Sequence, residues 1–233
     1  MLLLPRLVAL SALACGSDPD ADTPSFARAR EAMVTSQIEA RGVRDKATLT
    51  AMRTVPRHSF VPKASRDAAY EDHPLAIGHG QTISQPYIVA FMTEAAELRP
   101  GETVLEIGTG SGYQAAVLAH IAARVYTIEI VAPLAEASAA LLKRLGCDTV
   151  SVRAGDGYQG WPEAAPFDAI LVTAAAPRIP EPLKQQLKDG GRLVVPVGDD
   201  WQELVVVTRR GARFEEKRVL PVRFVPMTGK VRQ

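Results

Sequence analysis

The regular alternation of short apolar runs with amphipathic segments in residues 99–198 constrains the fold of this chain more than any other feature. Apolar runs separated by helical segments are typical of parallel β-sheets that helices cover on both faces. The pattern predicts strands at 103–107, 125–130, 149–153, 169–173 and 192–197, and helices at 113–123, 133–145 and 180–188. We therefore predict an α/β, Rossmann-like core.

The alternation stops after the last of these strands. Residues 204–209 and 214–225 have strand patterns and are joined by Arg210-Gly211-Ala212, with no helix between them. Two consecutive strands joined by a short turn pair in the antiparallel direction. The sequence therefore predicts an antiparallel pair at one edge of the sheet.

The segment before the core has a different character. Residues 26–42 and 45–55 have helical periodicity, residues 60–81 are irregular and rich in Pro, Gly and His, and a further helix follows Pro86. We predict a single domain over residues 25–233, made of a helical and loop region at 25–98, the core at 99–198, and antiparallel strands with a tail at 199–233.

Residues 1–24 stand apart from this domain. An apolar run up to Ala14 is followed by Cys15 and a polar stretch, which resembles a short bacterial secretion signal that ends at a lipid-modified cysteine. A disordered extension and a start codon placed too early are the alternatives. The chain has two cysteines, Cys15 and Cys147, which are too few and too far apart along the chain to predict a disulfide framework or a metal cluster.

The charge balance excludes one large class of function. The chain has 27 Lys and Arg residues against 26 Asp and Glu, so it lacks the basic excess that binding to nucleic-acid phosphates requires. No apolar stretch is long enough for a membrane-spanning helix. We therefore predict neither a nucleic-acid partner nor a transmembrane segment.

The turn after the first core strand is the sharpest local motif. In Val104-Leu-Glu-Ile-Gly-Thr-Gly-Ser-Gly112, the third glycine is one place earlier than in the Gly-x-Gly-x-x-Gly pattern of dinucleotide-binding proteins. Glu106 would repel a pyrophosphate but would attract a cation. S-adenosylmethionine carries a sulfonium and an ammonium group, so it suits an acidic residue followed by glycines. The structural alternative is a solvated strand-end glutamate beside a tight turn.

Three further segments are candidates for the same site. Glu129 ends the second core strand, where an acidic residue typically accepts hydrogen bonds from ribose hydroxyls, although it could be a surface charge. Asp156, which precedes Gly157, could accept from an adenine amino group or could be a turn residue. Ser84, in the loop before Pro86, could orient a substrate or merely cap the next helix.

Taken together, these motifs resemble one family. Gly78-His-Gly-Gln-Thr-Ile-Ser-Gln-Pro86, the glycine-rich turn, Gly155-Asp-Gly-Tyr-Gln-Gly-Trp161, Phe167-Asp-Ala-Ile-Leu-Val-Thr-Ala-Ala-Ala-Pro177 and Arg223-Phe-Val-Pro226 are similar to the motifs of protein-L-isoaspartate O-methyltransferases. The resemblance implies a seven-stranded, mostly parallel sheet with an antiparallel edge and extra N-terminal helices. It also implies repair of isoaspartyl residues in damaged proteins with S-adenosylmethionine and no metal. For the assembly state we expect a monomer.

The resemblance assigns residue roles by position in the motifs. Ser84 is implied to be catalytic. The implied cofactor-binding residues are Gln81, Thr82, Ile83, Ser84, Glu106, Gly108, Gly110, Glu129, Asp156, Gly157, Thr228 and Gln233.

Two rival functions and two locations are weighed against these expectations. A methyltransferase for nucleic acid or a small molecule is one rival, but Thr173-Ala-Ala-Ala-Pro177 lacks the Pro-Pro-aromatic motif of base-methylating enzymes. A binding module that has lost catalysis is the other. We predict a cytoplasmic protein because the cofactor is made there, with export or lipid anchoring through Cys15 as the alternative.

Overall fold

The structure, a computed structural model, describes Cys15 and residues 22–233. Its strands are β1 (Leu75–Gly78), β2 (Gln81–Ile83), β3 (Thr103–Ile107), β4 (Arg124–Glu129), β5 (Val150–Ala154), β6 (Phe167–Val172), β7 (Leu187–Val197), β8 (Gln202–Arg210) and β9 (Arg213–Val222). Its α-helices are α1 (Pro24–Met33), α2 (Lys46–Thr54), α3 (Pro86–Ala95), α4 (Tyr113–Ala119), α5 (Ala132–Arg144) and α6 (Glu181–Gln185).

The central sheet has seven strands in the order β5-β4-β3-β6-β7-β8-β9. Strands β3 to β7 pair in parallel, whereas β7, β8 and β9 pair in the antiparallel direction. The predicted fold, a mostly parallel Rossmann-like sheet with an antiparallel edge, is confirmed. The chain order reverses at β3, which lies between β4 and β6, and ligands of open α/β sheets bind outside the carboxyl ends of the strands at such a switch point.

Both faces of the sheet are covered, as the continuous apolar strands require. One core contains side chains of the N-terminal helices, α4 and the sheet, including Met52, Leu118 and Val194. The second lies on the opposite face and includes Phe167, Leu183 and Leu193. The site described below lies at the end of the sheet, where β3, β4 and β6 leave these two cores.

The N-terminal helical region differs in detail from the prediction. The helix predicted at residues 26–42 is an α-helix only as far as Met33, then a π-helical turn over Val34–Ile38 and a 3₁₀ turn that ends at Gly42. Thr23 begins α1, because its side chain accepts the Phe26 amide hydrogen at 3.4 Å. The start of α1 therefore includes residues of the predicted 1–24 extension.

A small hairpin, β1–β2, begins within residues 60–81, for which the sequence predicts an irregular loop, and ends just beyond them. Its two turn residues, His79 and Gly80, both have positive φ, as the tight turns of two-residue hairpin loops require. The hairpin ends at Ile83, so Ile83 and Ser84 lie beside the turn that follows β3. Tertiary packing of a short strand pair outweighs the local abundance of turn residues here.

A disulfide bond joins Cys15 to Cys147. Cys147 directly follows Gly146, just beyond the C-terminal end of α5. The expectation that these cysteines are too far apart is wrong for this pair, since 132 positions along the chain separate residues that fold into contact. Cys15 is buried, and its carbonyl oxygen accepts a hydrogen bond from His120. The remainder of the predicted leader, residues 1–14 and 16–21, lies outside the described residues.

Candidate functional site

A cavity opens at the carboxyl ends of β3, β4 and β6. It lies between the glycine-rich turn after β3 and two covering segments, the β2 hairpin and the C-terminal tail. Its lining residues include Gln81, Thr82, Gly108, Gly110, Glu129, Ile130, Gly157, Thr173, Met227 and Thr228. A neighbouring compartment adds Ile83, Ser84 and Glu106. Ten of the twelve sequence-predicted site residues therefore line one connected region, and Asp156 and Gln233 do not.

The glycine-rich turn is shaped by hydrogen bonds and by close approach of its backbone. The Gly108 amide donates to the Ile128 carbonyl at 2.8 Å, which ties the turn to β4. Gly108 has a φ of 100°, and a Cβ there would lie 2.4 Å from the Thr173 hydroxyl oxygen. A side chain at position 108 is therefore excluded both by backbone conformation and by space.

Glu106 is fully buried at the end of β3. Its Oε2 accepts from the Thr127 hydroxyl at 2.5 Å, and Thr109 Oγ1 lies 2.6 Å from the same hydroxyl, which places two threonines behind the carboxyl group. Oε1 has no hydrogen-bond partner among the described residues. Burial raises the pKa of Glu106 from 4.5 to about 8, against the opposing Thr127 hydrogen bond.

The unpartnered Oε1 atom is informative because buried polar atoms are nearly always satisfied. It belongs to a residue that lines the compartment beside Gly108 and Gly110, so a donor or a cation entering there would complete its shell. The sequence prediction that Glu106 binds the ammonium group of S-adenosylmethionine is compatible with this requirement. The solvated strand-end alternative for Glu106 is wrong, because the residue has no exposed surface.

Glu129 organises the next strand end. Its Oε2 accepts from the Gly110 amide at 2.8 Å and its Oε1 accepts from the Val131 amide at 2.9 Å. The residue is 5% exposed and lines the cavity, so the surface-charge alternative does not hold. Each carboxylate oxygen has a second lone pair, which leaves acceptors for two ribose hydroxyls.

Asp156 has a different place from Gly157. Gly157 lines the cavity, and a Cβ there would lie 2.4 Å from Ile107 Cγ2. Asp156 lies behind the lining residues. Its Oδ1 accepts from the Tyr158 amide at 2.9 Å, and its Oδ2 accepts from the Lys230 amide at 2.8 Å. Asp156 therefore connects the turn after β5 to the C-terminal tail.

The tail itself covers one side of the cavity. Met227 donates its amide hydrogen to the Ala175 carbonyl at 2.7 Å, and Met227 and Thr228 line the cavity. Gln233 is exposed at the end of the following 3₁₀ turn, where its amide donates to the Lys230 carbonyl at 3.1 Å. The structure thus brings Thr228 to the site but leaves Gln233 outside it.

Ser84 does not cap the helix that follows it. Residue Gln85 occupies the N-cap position of α3 without a side-chain capping bond, and Asp72 instead accepts the Tyr87 amide hydrogen at 3.3 Å. Asp72 also accepts from Gln85 Nε2 at 2.7 Å. The Ser84 side chain borders the compartment that contains Glu106, and it also borders a second, larger groove.

This second groove, which we call the acceptor groove, has a volume of about 630 Å³. Thr82 and Thr173 line this groove and also the cavity at the ends of β3, β4 and β6, which we call the cofactor cavity. Ser84 lines the groove and the compartment that contains Glu106. The remaining lining residues are Arg41, Pro74, Gln85, Ile88 and the segment 220–225. Two arginines, Arg41 and Arg223, are among its described lining residues; Arg41 is ion-paired with Asp72 at 2.6 Å, so Arg223 supplies the positive charge that suits the groove to an anionic group.

Thr173 is a site residue that the sequence analysis did not single out. Its hydroxyl donates to the Gly108 carbonyl, at 2.6 Å, and lies 3.0 Å from the Ile107 carbonyl oxygen. It lines the cofactor cavity, the Glu106 compartment and the acceptor groove. Its position directly after β6, the strand beside β3, is the signal that could have identified it.

Two findings limit other kinds of site. Within Cys15 and residues 22–233, no group of three or more His, Cys, Asp or Glu side chains is arranged to hold a metal ion. None of the helices in that part of the chain is long and apolar enough to cross a membrane.

Comparison with known proteins gives the same picture over most of the chain. The family profile described as protein-L-isoaspartate(D-aspartate) O-methyltransferase matches residues 28–232. A protein-L-isoaspartate O-methyltransferase of Opitutus terrae is 61% identical over 201 residues, which cover 85% of this chain and 86% of the relative. One from Gloeobacter violaceus is 59% identical over 198 residues, which cover 84% of this chain and 97% of the relative.

Solved structures agree with the sequence relatives. A protein-L-isoaspartate O-methyltransferase superimposes with a TM-score of 0.79 at 31% identity, covering 87% of this chain and 67% of the other. A Plasmodium falciparum protein described as belonging to this class, in complex with S-adenosyl-L-homocysteine, has a TM-score of 0.76 at 27% identity and covers 85% of this chain and 98% of the other. The chain belongs to the protein-L-isoaspartate(D-aspartate) O-methyltransferase family.

Proposed function

We propose that this chain esterifies the free α-carboxyl group of L-isoaspartyl residues in damaged proteins and peptides, and that Ser84 orients this carboxyl group. Family membership makes the chain an S-adenosylmethionine-dependent methyltransferase that acts on isoaspartyl proteins. The observation that carries the residue-level proposal is the meeting of two cavities. A compartment with an unpartnered buried carboxyl oxygen adjoins a groove with two arginines, and Ser84 borders both.

Different residues of the cofactor cavity would bind different parts of S-adenosylmethionine. Glu106 Oε1 would accept from the ammonium group, while Gly108 and Gly110 allow the methionine end to approach the backbone. Glu129 would accept from the ribose hydroxyls, and Gly157 leaves room for the adenine ring beside Ile130. When bound, S-adenosylmethionine supplies an electrophilic methyl group on a sulfonium.

The acceptor explains why the site needs no general base. An α-carboxyl group has an unperturbed pKa of about 3.3–3.7, so it is an anionic nucleophile at neutral pH. The protein has to hold this carboxylate in line with the methyl group and exclude water. Arg223 would draw the anion into the groove, and the Ser84 hydroxyl would donate a hydrogen bond to it.

Repair follows from the product rather than from a second active site. A methyl ester at an isoaspartyl linkage has a better leaving group than the free acid, so the following backbone amide nitrogen attacks it and forms a succinimide. Hydrolysis of the succinimide yields some normal aspartate. The enzyme therefore has to supply only the methyl ester.

Labelled methyl transfer to an isoaspartyl peptide and to its aspartyl twin tests this proposal. We expect transfer to the isoaspartyl peptide to dominate, because the groove must accommodate the extra backbone methylene of that linkage. Equal methylation of both peptides would leave only a general carboxyl methyltransferase. Transfer to neither would leave a cofactor-binding module.

For the location we propose the cytoplasm, because the cofactor is made there, and for the assembly state we propose a monomer. A specific observation favours the exported alternative. Disulfides such as Cys15–Cys147 persist mainly in oxidising compartments. The same bond occupies the Cys15 sulfur, so the sulfur cannot also carry a lipid. Cell fractionation with thiol trapping decides the location, and light scattering on the purified protein decides the assembly state.

A further inference from the structure

Trp201 is the feature of this surface that the proposed function leaves unexplained. Among the described residues, Ile130 and Trp201 are the two large apolar side chains that are markedly exposed, at 43% and 72%. Ile130 lines the cofactor cavity, so a bound ligand accounts for its exposure. Trp201 lies in the loop between β7 and β8, and it lines neither the cofactor cavity nor the acceptor groove.

A cavity of about 470 Å³ adjoins Trp201, and we call it the side pocket. Its lining residues are Asp199, Asp200, Trp201, Gln202, Pro221, Val222, Arg223 and Phe224. The last four of these also line the acceptor groove. The side pocket and the acceptor groove therefore share the segment 221–224 as a common wall.

Hydrogen bonds hold this wall in place relative to Trp201. The Gln202 side chain accepts from the Phe224 amide at 2.6 Å and donates to the Phe224 carbonyl at 3.2 Å. At the start of the loop, a Cβ on Gly198 would lie 1.9 Å from the Trp201 carbonyl oxygen, so the turn is tight. The tryptophan is thus presented by a fixed loop beside the groove.

The side pocket has more acidic side chains along its lining than the acceptor groove, whose Arg41 is ion-paired with Asp72 at 2.6 Å. Asp199 and Asp200 border the side pocket, while Arg41 borders the acceptor groove and Arg223 borders both. Arg232 lies 3.1 Å from Asp199, whereas no ion pair forms at Asp200 within the described part of the chain. A polypeptide with an anionic isoaspartyl carboxyl in the groove would therefore match the side pocket best with a cation.

We propose that the side pocket binds a Lys or Arg side chain of the acceptor polypeptide, close in sequence to its isoaspartyl residue. The cation would lie on the Trp201 ring with Asp200 beside it. The same chain makes this kind of contact internally, since the Arg153 guanidinium carbon lies 3.7 Å from the centre of the Trp161 ring. This inference rests on the proposed function, because the acceptor groove has to hold the damaged residue.

Isoaspartyl peptides that differ at one position test the inference. Lys, Ala or Glu is placed at each of the two positions on either side of the isoaspartyl residue, and kcat/KM is measured for each peptide. At one or more positions we expect Lys to exceed Ala by about 2-fold to 5-fold, the range for an exposed cation–π contact. Trp201→Ala and Asp200→Asn should both reduce that ratio towards one.

Glu216→Gln is the matched control, because it removes one negative charge from an exposed position of β9 outside both cavities. It should leave the Lys-to-Ala ratio unchanged. Binding of the Lys peptide should also change the tryptophan fluorescence of the wild-type protein, and Trp201→Ala should abolish that change. This measurement does not depend on turnover.

Equal kcat/KM for Lys and Ala peptides at every position would overturn the inference, as would a preference that Trp201→Ala retains. A preference that Glu216→Gln also removes would show a general charge effect and would overturn it too. Failure to methylate any isoaspartyl peptide would instead overturn the proposed function, so the two failures can be told apart.

Discussion

The buried carboxyl group of Glu106 makes a quantitative prediction about protons. Burial raises its pKa from 4.5 to about 8 in the folded chain. The unfolded chain therefore loses this proton near pH 4.5, whereas the folded chain keeps it until about pH 8. Between these values the folded state binds more protons, so stability falls as pH rises through this window. A shift of 3.5 units, 8 minus 4.5, corresponds to about 5 kcal/mol at 1.36 kcal/mol per unit.

The perturbation that isolates this effect is Glu106→Gln, which keeps the shape and an acceptor for the Thr127 hydroxyl. Other carboxyl groups titrate in the same range, so the useful quantity is the difference between the two proteins. Relative to wild type, the variant should gain stability as pH rises from 5 to 8, by roughly 3.5 kcal/mol, since part of the full effect lies outside this range. Urea unfolding of ligand-free protein at several pH values measures it.

The affinity for the cofactor should rise with pH, whereas the stability of the ligand-free protein falls. An ammonium group binds a carboxylate better than a carboxylic acid, so at pH 7 binding should release a proton from Glu106. With a pKa of about 8, the ionised fraction rises from about 1% at pH 6 to about half at pH 8. Affinity for S-adenosyl-L-homocysteine should therefore rise by up to roughly 50-fold over this range, and Glu106→Gln should remove most of that rise.

Calorimetry in two buffers of different ionisation enthalpy measures the released proton directly. Its absence at pH 7, or an equal proton release by Glu106→Gln, would refute the reasoning. A wild-type affinity that does not change between pH 6 and 8 would do the same. An absent proton release or an unchanged affinity would mean that Glu106 does not change its protonation state on binding, and equal release by the variant would mean that the proton comes from another group.

The remaining predictions concern single contacts. Ser84→Ala should lower kcat by about tenfold, the equivalent of one lost hydrogen bond of about 1.4 kcal/mol, with an unchanged melting temperature because Ser84 caps no helix; a loss of stability with full turnover would contradict its orienting role. Thr173→Val should lower kcat while Thr173→Ser restores it, since the hydroxyl bonds the Gly108 carbonyl; equal activity of both variants would show that the hydroxyl is dispensable. Glu129→Ala should weaken cofactor binding by about 1.5–3 kcal/mol, and Asp156→Ala should weaken it by freeing the tail at Lys230; unchanged calorimetric affinities would remove both assignments. A shortened protein that begins at Ser25 should stay active but melt at a lower temperature, because it lacks the Cys15–Cys147 disulfide, the Thr23 cap of α1 and the 2.7 Å Asp22–Arg30 ion pair; an unchanged melting temperature would show that these three contacts contribute nothing.

The sheet was predictable because its strands are buried on both faces. Such strands appear in the sequence as uninterrupted apolar runs, and β3 was predicted with the bounds that the structure has. The β1–β2 hairpin was missed because its strands are only four and three residues long, too short for a clear alternation, and the Pro, Gly and His residues around them indicate a loop. α6 was predicted too long, because Leu187 already belongs to β7 and pairs with Phe167 of β6.

The candidate site was predictable where function depends on a strand end and its following turn. Glu106 and Glu129 were identified in this way, and their burial follows from their strands. Thr173 was missed because its role depends on a contact between two turns that are distant in sequence. The Cys15–Cys147 bond was missed for the same reason.

The contact between Asp156 and the Lys230 amide has a practical consequence for work with this protein. The segment that begins at Met227 covers the cofactor cavity, and it ends at Gln233 only a few positions beyond that contact. An affinity tag fused to the C-terminus would extend from the cover itself. We expect such a tag to speed the exchange of bound cofactor by pulling on the segment that covers it.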